Sequence, residues 1–489
     1  MTSENVLSTP SVPPPGTATA GGAKLSGGMG TWKLVSAIMM FNGPLGIMAG
    51  VLPIVIALGV GTGTPLLFLI LGVAVAIFAV GYVAMAELLP RAGAFYTYVT
   101  AGLGRPAGLG ASFVAVLSYT TAMAGALIFS ALSAERWVKG TLHGPDLPWW
   151  VFGLLFVLIA GALAYFRVDV SAWVMGVFVV LEVALVAALE ISVLVKGGKS
   201  GIEYSSFRPS SLSHGAFAVG LVFAVTCFGG FEATAIYRDE VINPRRTLAR
   251  ATFIVVGTIA VFYAFGSWII IESVGTHNVV VDLLSSPTGI FYDDMKAYPG
   301  EWAYQAATAL VITSSFAGLT SYHNVVARYF FNLGADGILP RALGRAHHKH
   351  GSPHRASALL SVITVVYIVA VAASHADPNS AYVYLVGITA YAFVILLILA
   401  AFGIAVYMWR TPAAGHSLWR RRIAPVLSAA IIAAITVAAT AKIDILAGAG
   451  AKAAAALAAT YGIVALGFAL AAALRVTRPA AYLRIGQQE

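Results

Sequence analysis

Apolar stretches of about 20 residues recur along almost the whole of this chain, each long enough as a helix to cross a ~30 Å hydrocarbon core. Twelve can be counted, with approximate limits 32–60, 65–89, 107–133, 148–167, 171–195, 215–237, 251–274, 303–332, 357–374, 380–408, 424–441 and 454–474. No other feature restricts the fold as much. Inside lipid every backbone amide and carbonyl has to be paired within the protein, so continuous apolar runs of this length read as helices. Composition agrees, with 59% of the 489 residues hydrophobic and 10% charged, against about 25% charged in soluble domains. The expected fold class is an all-α integral membrane protein with about twelve transmembrane helices.

Two spans are interrupted. In the first, Phe41 to Gly50 reads FNGPLGIMAG and places Asn42, Gly43, Pro44, Gly46 and Gly50 in mid-span. A helix interior loses about 1 kcal/mol with glycine in place of alanine, and about 3 with proline. In the sixth, Ala224 to Ile236 reads AVTCFGGFEATAI and places Gly229 and Gly230 beside Glu232. Interruptions at matching places of two five-helix halves point to an inverted-repeat transporter with its site at the membrane midplane. Five is odd, so the halves, about 31–197 and 212–410, run in opposite directions. Unwound backbone at that depth is tolerated only where it is buried in protein or lines a watered cavity. Freed amides at a half-helix N-terminus suit an anionic group, and freed carbonyls suit a cation or ammonium. A zwitterion fits both. Close helix packing explains either set of glycines alone, but their pairing favours a site.

The net charge of +9 raises the question of nucleic acid, and its distribution answers it. With the N-terminus cytoplasmic, 21 of the 29 Lys and Arg residues fall on inner segments, among them Arg245, Arg246, Arg250 and Arg420 to Arg422. By the positive-inside rule both tails are then cytoplasmic and the protein is multi-pass in the cell membrane. No basic patch with interleaved aromatics accompanies the charge, so nucleic acid is excluded as a partner. Residues 1–30, rich in Ser, Thr, Pro, Gly and Ala, read as a disordered tail without a signal peptide. A lone cysteine, Cys227, excludes an internal disulfide. Residues 411–475 supply two further helices, and 476–489 a second cytoplasmic tail.

Four stretches carry a family likeness. They are AELLPRAGAFYTY (Ala86 to Tyr98) with the GLGRPAG that follows, Leu52-Pro53 after the first break, GFEATAIYRDEVINPRRTLARA (Gly230 to Ala251), and VARYFFNLGADGILPRALGRAHHKHGSPHRA (Val326 to Ala356). Over residues 31 to about 410 the chain resembles permeases of the amino acid, polyamine and organocation superfamily. The resemblance implies a five-plus-five inverted repeat with discontinuous helices 1 and 6, two extra C-terminal helices, and alternating access. It places the substrate against Asn42, Gly43, Gly46, Ile47, Met48, Ala49 and Gly50, and against Thr226, Cys227, Phe228, Gly229, Gly230, Phe231 and Glu232. Phe228 and Phe231 become candidate gating aromatics. Two departures stand out. Many members show G-x-G in the first break where this chain has Gly46-Ile47-Met48, and many sodium-independent members keep a lysine in helix 5 where this chain has Glu182.

Glu182 lies about 17 Å into a helix starting near Ser171, close to the bilayer centre. A carboxylate there costs at least ~2.5 to 3.5 kcal/mol, and such residues usually mark ion or substrate pathways. Glu182 is the candidate proton-coupling residue, with a permanently hydrogen-bonded acid as the structural alternative. Glu190, about 12 Å further along, reads as a solvated glutamate. Ser314 and Ser315 in TSSFAGLTSYHN could supply hydroxyl oxygens to Na⁺, or serve as interhelical hydrogen-bond partners. Tyr119 is a candidate cavity wall. His323 reads as a satisfied buried imidazole. The basic cluster His347 to His350 lacks the spacing of a closed metal site.

These residues predict secondary active transport of an amino acid or related amine, coupled to H⁺ and directed inward. A polyamine or other organic cation, and amino acid exchange, are the alternatives. No phosphate-cradling G-x-x-x-x-G-K-[ST] run occurs, nor H-E-x-x-H or G-x-S-x-G, so neither ATP-driven transport nor a membrane enzyme is expected, and no cofactor is implied. The partners are the small-molecule substrate, the proton and the lipid bilayer. Nothing in the sequence specifies an oligomer.

Overall fold

The computed structural model describes residues 29–89, 94–166, 172–213, 215–232, 234, 241–348, 351–411 and 417–486, and these are helical almost throughout. The long helices are α1 (Thr31–Leu58, interrupted), α2 (Thr64–Leu88), α3 (Arg105–Arg136), α4 (Trp149–Phe166), α5 (Ala172–Lys196), α6 (Phe217–Thr226), α7 (Pro244–Val274), α8 (Glu301–Ala335), α9 (His354–Ala373), α10 (Pro378–Arg410), α11 (Ala424–Thr440) and α12 (Ala451–Thr477). Ten of them are long and apolar enough to span a membrane among the described residues. The two expected spans outside that set have a physical reason. The α6 helix stops after ten residues at Thr226, and the 35-residue α8 carries the polar run Thr313 to Asn324. Large apolar side chains cover the outside of the bundle: Leu158, Val180, Val362 and Val437 are each more than half exposed. Such a surface belongs in lipid, so the protein is a multi-pass membrane protein.

Helices five apart in sequence pack on each other, α2 on α7 and α3 on α8, as expected for two halves related by an axis through the bundle. The interrupted pair also meets. The Ala216 amide donates to the Gly59 carbonyl at 2.9 Å, where α1 ends and α6 begins. A Cβ on Gly59 would fall 2.8 Å from the Gly220 Cα, so only glycine permits this backbone approach. At the opposite end of the bundle, Met29 pairs with Val241 in an isolated bridge that ties the start of α1 to the stretch before α7. A short helix, Pro479–Arg484, follows α12; after it Ile485 is fully buried and the Gly486 amide donates to the Tyr96 hydroxyl at 2.7 Å. Residues 1–28 lie outside the described residues.

Candidate functional site

The first break is a single residue. Thr31–Asn42 is helical, Gly43 takes φ 56° and ψ 73°, and Pro44 restarts the helix. The local chemistry explains it. A residue before proline is pushed out of the right-handed helical region, glycine alone enters the left-handed one freely, and proline is suited to a first helical position. The restarted helix then widens into a π-turn over Ile47–Val51, a local loosening that recurs at functional sites.

Every amide at this half-helix start has a known fate. Pro44 has none, and Leu45 donates to Glu182 Oε2 at 3.1 Å. Gly46 donates to Ser314 Oγ at 3.1 Å, and Ile47 to the Gly43 carbonyl at 3.0 Å. The Ser314 hydroxyl in turn donates to Glu182 Oε2 at 2.9 Å. One carboxylate oxygen of α5 therefore joins the break in α1 to α8. The other oxygen, Glu182 Oε1, is buried without a hydrogen-bond partner among the described residues, as are both amide atoms of Asn42 and the hydroxyl of Tyr263.

The second break follows Thr226. Residues 227–232 form turns, with Gly230 at φ 95°. Glu232 folds back on them: its Oε2 accepts from the Gly230 amide at 2.9 Å and its Oε1 from the Tyr119 hydroxyl at 2.7 Å. The Tyr82 hydroxyl donates to the Glu232 carbonyl at 2.5 Å, so α2 and α3 both hold the break. Tyr119 stacks on Tyr322 of α8 with ring centroids 6.2 Å apart.

The expected site residues thus separate by contact. Gly43, Gly46, Glu182 and Ser314 meet at the first break, and Gly230, Glu232 and Tyr119 at the second, while Ile47, Met48, Ala49, Gly50, Cys227, Phe228 and Gly229 are buried around them. Three point elsewhere. The Ser315 hydroxyl donates to the Val311 carbonyl of its own helix at 2.5 Å, and Thr226 likewise to Phe223 at 2.6 Å. Phe231 packs among Phe78, Tyr82 and Phe95 at 5.8 to 6.1 Å, a packing role for a residue expected as a gating aromatic. His323 is buried with Nε2 2.8 Å from Ser357 Oγ, and among the described residues no His, Cys, Asp and Glu cluster could hold a metal ion. Of the polyhistidine run, Lys349 and His350 lie outside the described residues, as do Asp239 and Glu240 of the loop before α7. Sequence reasoning missed Leu45, whose amide reaches Glu182. For Leu45 the signal was Pro44, which leaves the next residue as the first amide of the half-helix.

Comparison with known proteins fits this arrangement. The model of the amino acid permease family matches residues 30–472. The aromatic amino acid transport protein AroP of Escherichia coli O6:H1 is 25% identical over 262 residues, covering 51% of this chain and 55% of that one. Large neutral amino acids transporter small subunit 2 of Oryctolagus cuniculus is 23% identical, covering 62% and 57%. The branched-chain amino acid permease BcaP of Lactococcus lactis subsp. cremoris is 22% identical, covering 63% and 68%. The chain thus spans little more than half the length of the first two of these relatives. Since the family model covers nearly all of it, the chain belongs to the amino acid permeases, within the amino acid, polyamine and organocation superfamily.

Proposed function

We propose that this protein is a secondary active transporter that carries an amino acid or a related amine into the cell by alternating access, with the solute held between the two breaks. One observation carries the reading: each break is closed by a carboxylate, Glu182 from another helix and Glu232 from its own, in place of helical hydrogen bonds. Such contacts can be exchanged for a solute without unfolding the helices on either side. That is the property alternating access requires of its site. The names of the relatives support an amino-bearing solute.

Coupling to H⁺ is assigned to Glu182, the membrane-buried acid that touches both α1 and α8. When it gains a proton it ceases to be an anion in the half-helix field, and its hold on the Leu45 amide and the Ser314 hydroxyl weakens. The neighbouring helices are then released to move. With the N-terminus cytoplasmic, 21 of the 29 basic residues fall on inner segments, which supports a cell-membrane protein with both tails inside. The test is uptake of radiolabelled amino acids and amines by purified protein in proteoliposomes, with and without an inward proton gradient. Gradient-driven, saturable uptake that disappears with an uncoupler is expected. Uptake of one solute that requires another on the far side, whatever the pH, would replace symport with exchange.

A further inference from the structure

We propose that residues 479–486 form a strap that holds the inner end of the transport path shut and has to lift before solute passes between the second break and the cytoplasm. The inference rests on the transport reading above.

The strap is set into the bundle. Leaving α12, the helix Pro479–Arg484 buries Ala481, and Ile485 behind it is fully buried. Both enter a cluster with Tyr96 of the short helix Ala94–Leu103, Leu109 and Phe113 of α3, Leu333 of α8 and Leu474 of α12. Removing this apolar surface from water is the main attraction. The backbone then fixes the position. Gly486, at φ 74°, donates its amide to the Tyr96 hydroxyl at 2.7 Å, and a Cβ there would fall 2.5 Å from Thr100 Cγ2. Only glycine meets both conditions. On the outside of the strap the Arg105 guanidinium lies over the Tyr482 ring, 5.4 Å from its centroid. Arg484 rests against the turn after α8, its guanidinium 3.7 Å from where a Cβ on Gly337 would stand.

What the strap holds leads to the second break by two routes. Next to Tyr96, Phe95 packs edge-on against Phe231 with ring centroids 6.1 Å apart. In α8, Tyr329 packs against the strap's cluster and lies 6.2 Å from Tyr119, whose hydroxyl donates to Glu232. The strap thus ties helix 94–103 to the end of α8, and each of these touches the second break. Phe95, Tyr98 and Val99 are at most 1% exposed, so this end is packed shut while the strap is down. Alternating access requires it to open. A segment held by one hydrogen bond and a few side chains can leave without unfolding the helices beneath it.

The lone cysteine supplies the readout, because Cys227 is fully buried in the second break. Its alkylation by a charged, membrane-impermeant maleimide is timed in inside-out and right-side-out membrane vesicles holding the full-length protein, which is then purified. Gly486→Ala is expected to react about ten-fold faster than wild type in inside-out vesicles, which corresponds to about 1.4 kcal/mol lost from the latch, and at the wild-type rate in right-side-out ones. Tyr96→Phe keeps the ring in the cluster and removes only the oxygen that Gly486 reaches; it is expected to move the same way by a smaller factor, so a folding defect in one variant does not rescue the idea. Equal labelling of wild type and both variants overturns the proposal, as does acceleration from both sides, the mark of a loosened fold. Wild-type uptake in proteoliposomes is measured beside it: saturable uptake with unchanged labelling strikes the strap alone, and absence of uptake strikes the transport reading beneath it.

Discussion

Replacing Gly43 by alanine tests the geometry of the first break, because the structure assigns it two separate costs. At φ 56° an L-residue sits in the left-handed region, worth about 1 to 2 kcal/mol. The added Cβ would also lie 3.0 Å from both the carbonyl oxygen and the hydroxyl of Ser314. To make room, Ser314 has to shift by a few tenths of an ångström, and its bonds to Gly46 and Glu182 weaken, at about 0.5 to 1 kcal/mol each. The sum is about 2 to 4 kcal/mol. For 489 residues an unfolding entropy of ~2.1 cal/mol/K per residue gives roughly 1 °C per kcal/mol, so Gly43→Ala is expected to melt about 2 to 4 °C below wild type and to transport poorly. Gly257→Ala is the control. Gly257 lies in α7 with no positive φ and nothing within 4 Å of an added Cβ, so that variant is expected to match wild type or rise by about 1 °C through helix propensity. Both are read by thermal unfolding in detergent, followed by uptake in proteoliposomes. If the two alanine variants melt within a degree of each other and both transport, the left-handed break is not what holds α1 against α8.

Tyr119→Phe removes the donor to Glu232 Oε1 and leaves a buried acceptor unpaired, at about 1 to 3 kcal/mol; lower thermal stability together with a changed KM for uptake is expected, and an unchanged KM would separate Glu232 from the solute path. Asp294, in the loop helix Ile290–Ala297, accepts from Ser273 Oγ at 2.6 Å, but burial pushes its carboxyl up to about 7 from the usual 3.8. A raised carboxyl favours the folded state below the unfolded value and loses that advantage as pH rises through the folded one. The melting temperature is therefore expected to fall between about pH 4 and 7 in wild type and to lose that slope in Asp294→Asn; identical pH profiles would contradict it. Arg420 and Glu87 pair at 3.0 Å with side chains 37% and 17% exposed, and a pair so open to solvent is worth about 0 to 1 kcal/mol, so Arg420→Ala is expected to melt within about 1 °C of wild type.

Much of this protein was legible in one dimension. Length and apolarity of a span need no partner, so the helices could be counted directly. The break at Gly43 was equally local, because the residue before a proline and the glycine that tolerates φ 56° are neighbours. The likeness to permeases rested on contiguous motifs and held across residues 30–472. Two spans fell outside the apolar set: α6 because its helix stops at the break after ten residues, and α8 because its hydroxyl-rich run dilutes the apolar signal that defines a span.

What the chain folded in three dimensions alone decided is which groups close the breaks. The Leu45 amide finds Glu182 137 residues away, and the Gly46 amide finds Ser314 268 residues away; no local pattern encodes a pairing at such a separation. Ser314 and Ser315 are adjacent and chemically identical, yet about 100° of helical rotation turns one toward the break and leaves the other bonded to its own backbone. Helix formation is a property of a segment, whereas the groups that close the two breaks depend on how six helices, α1, α2, α3, α5, α6 and α8, are set against one another.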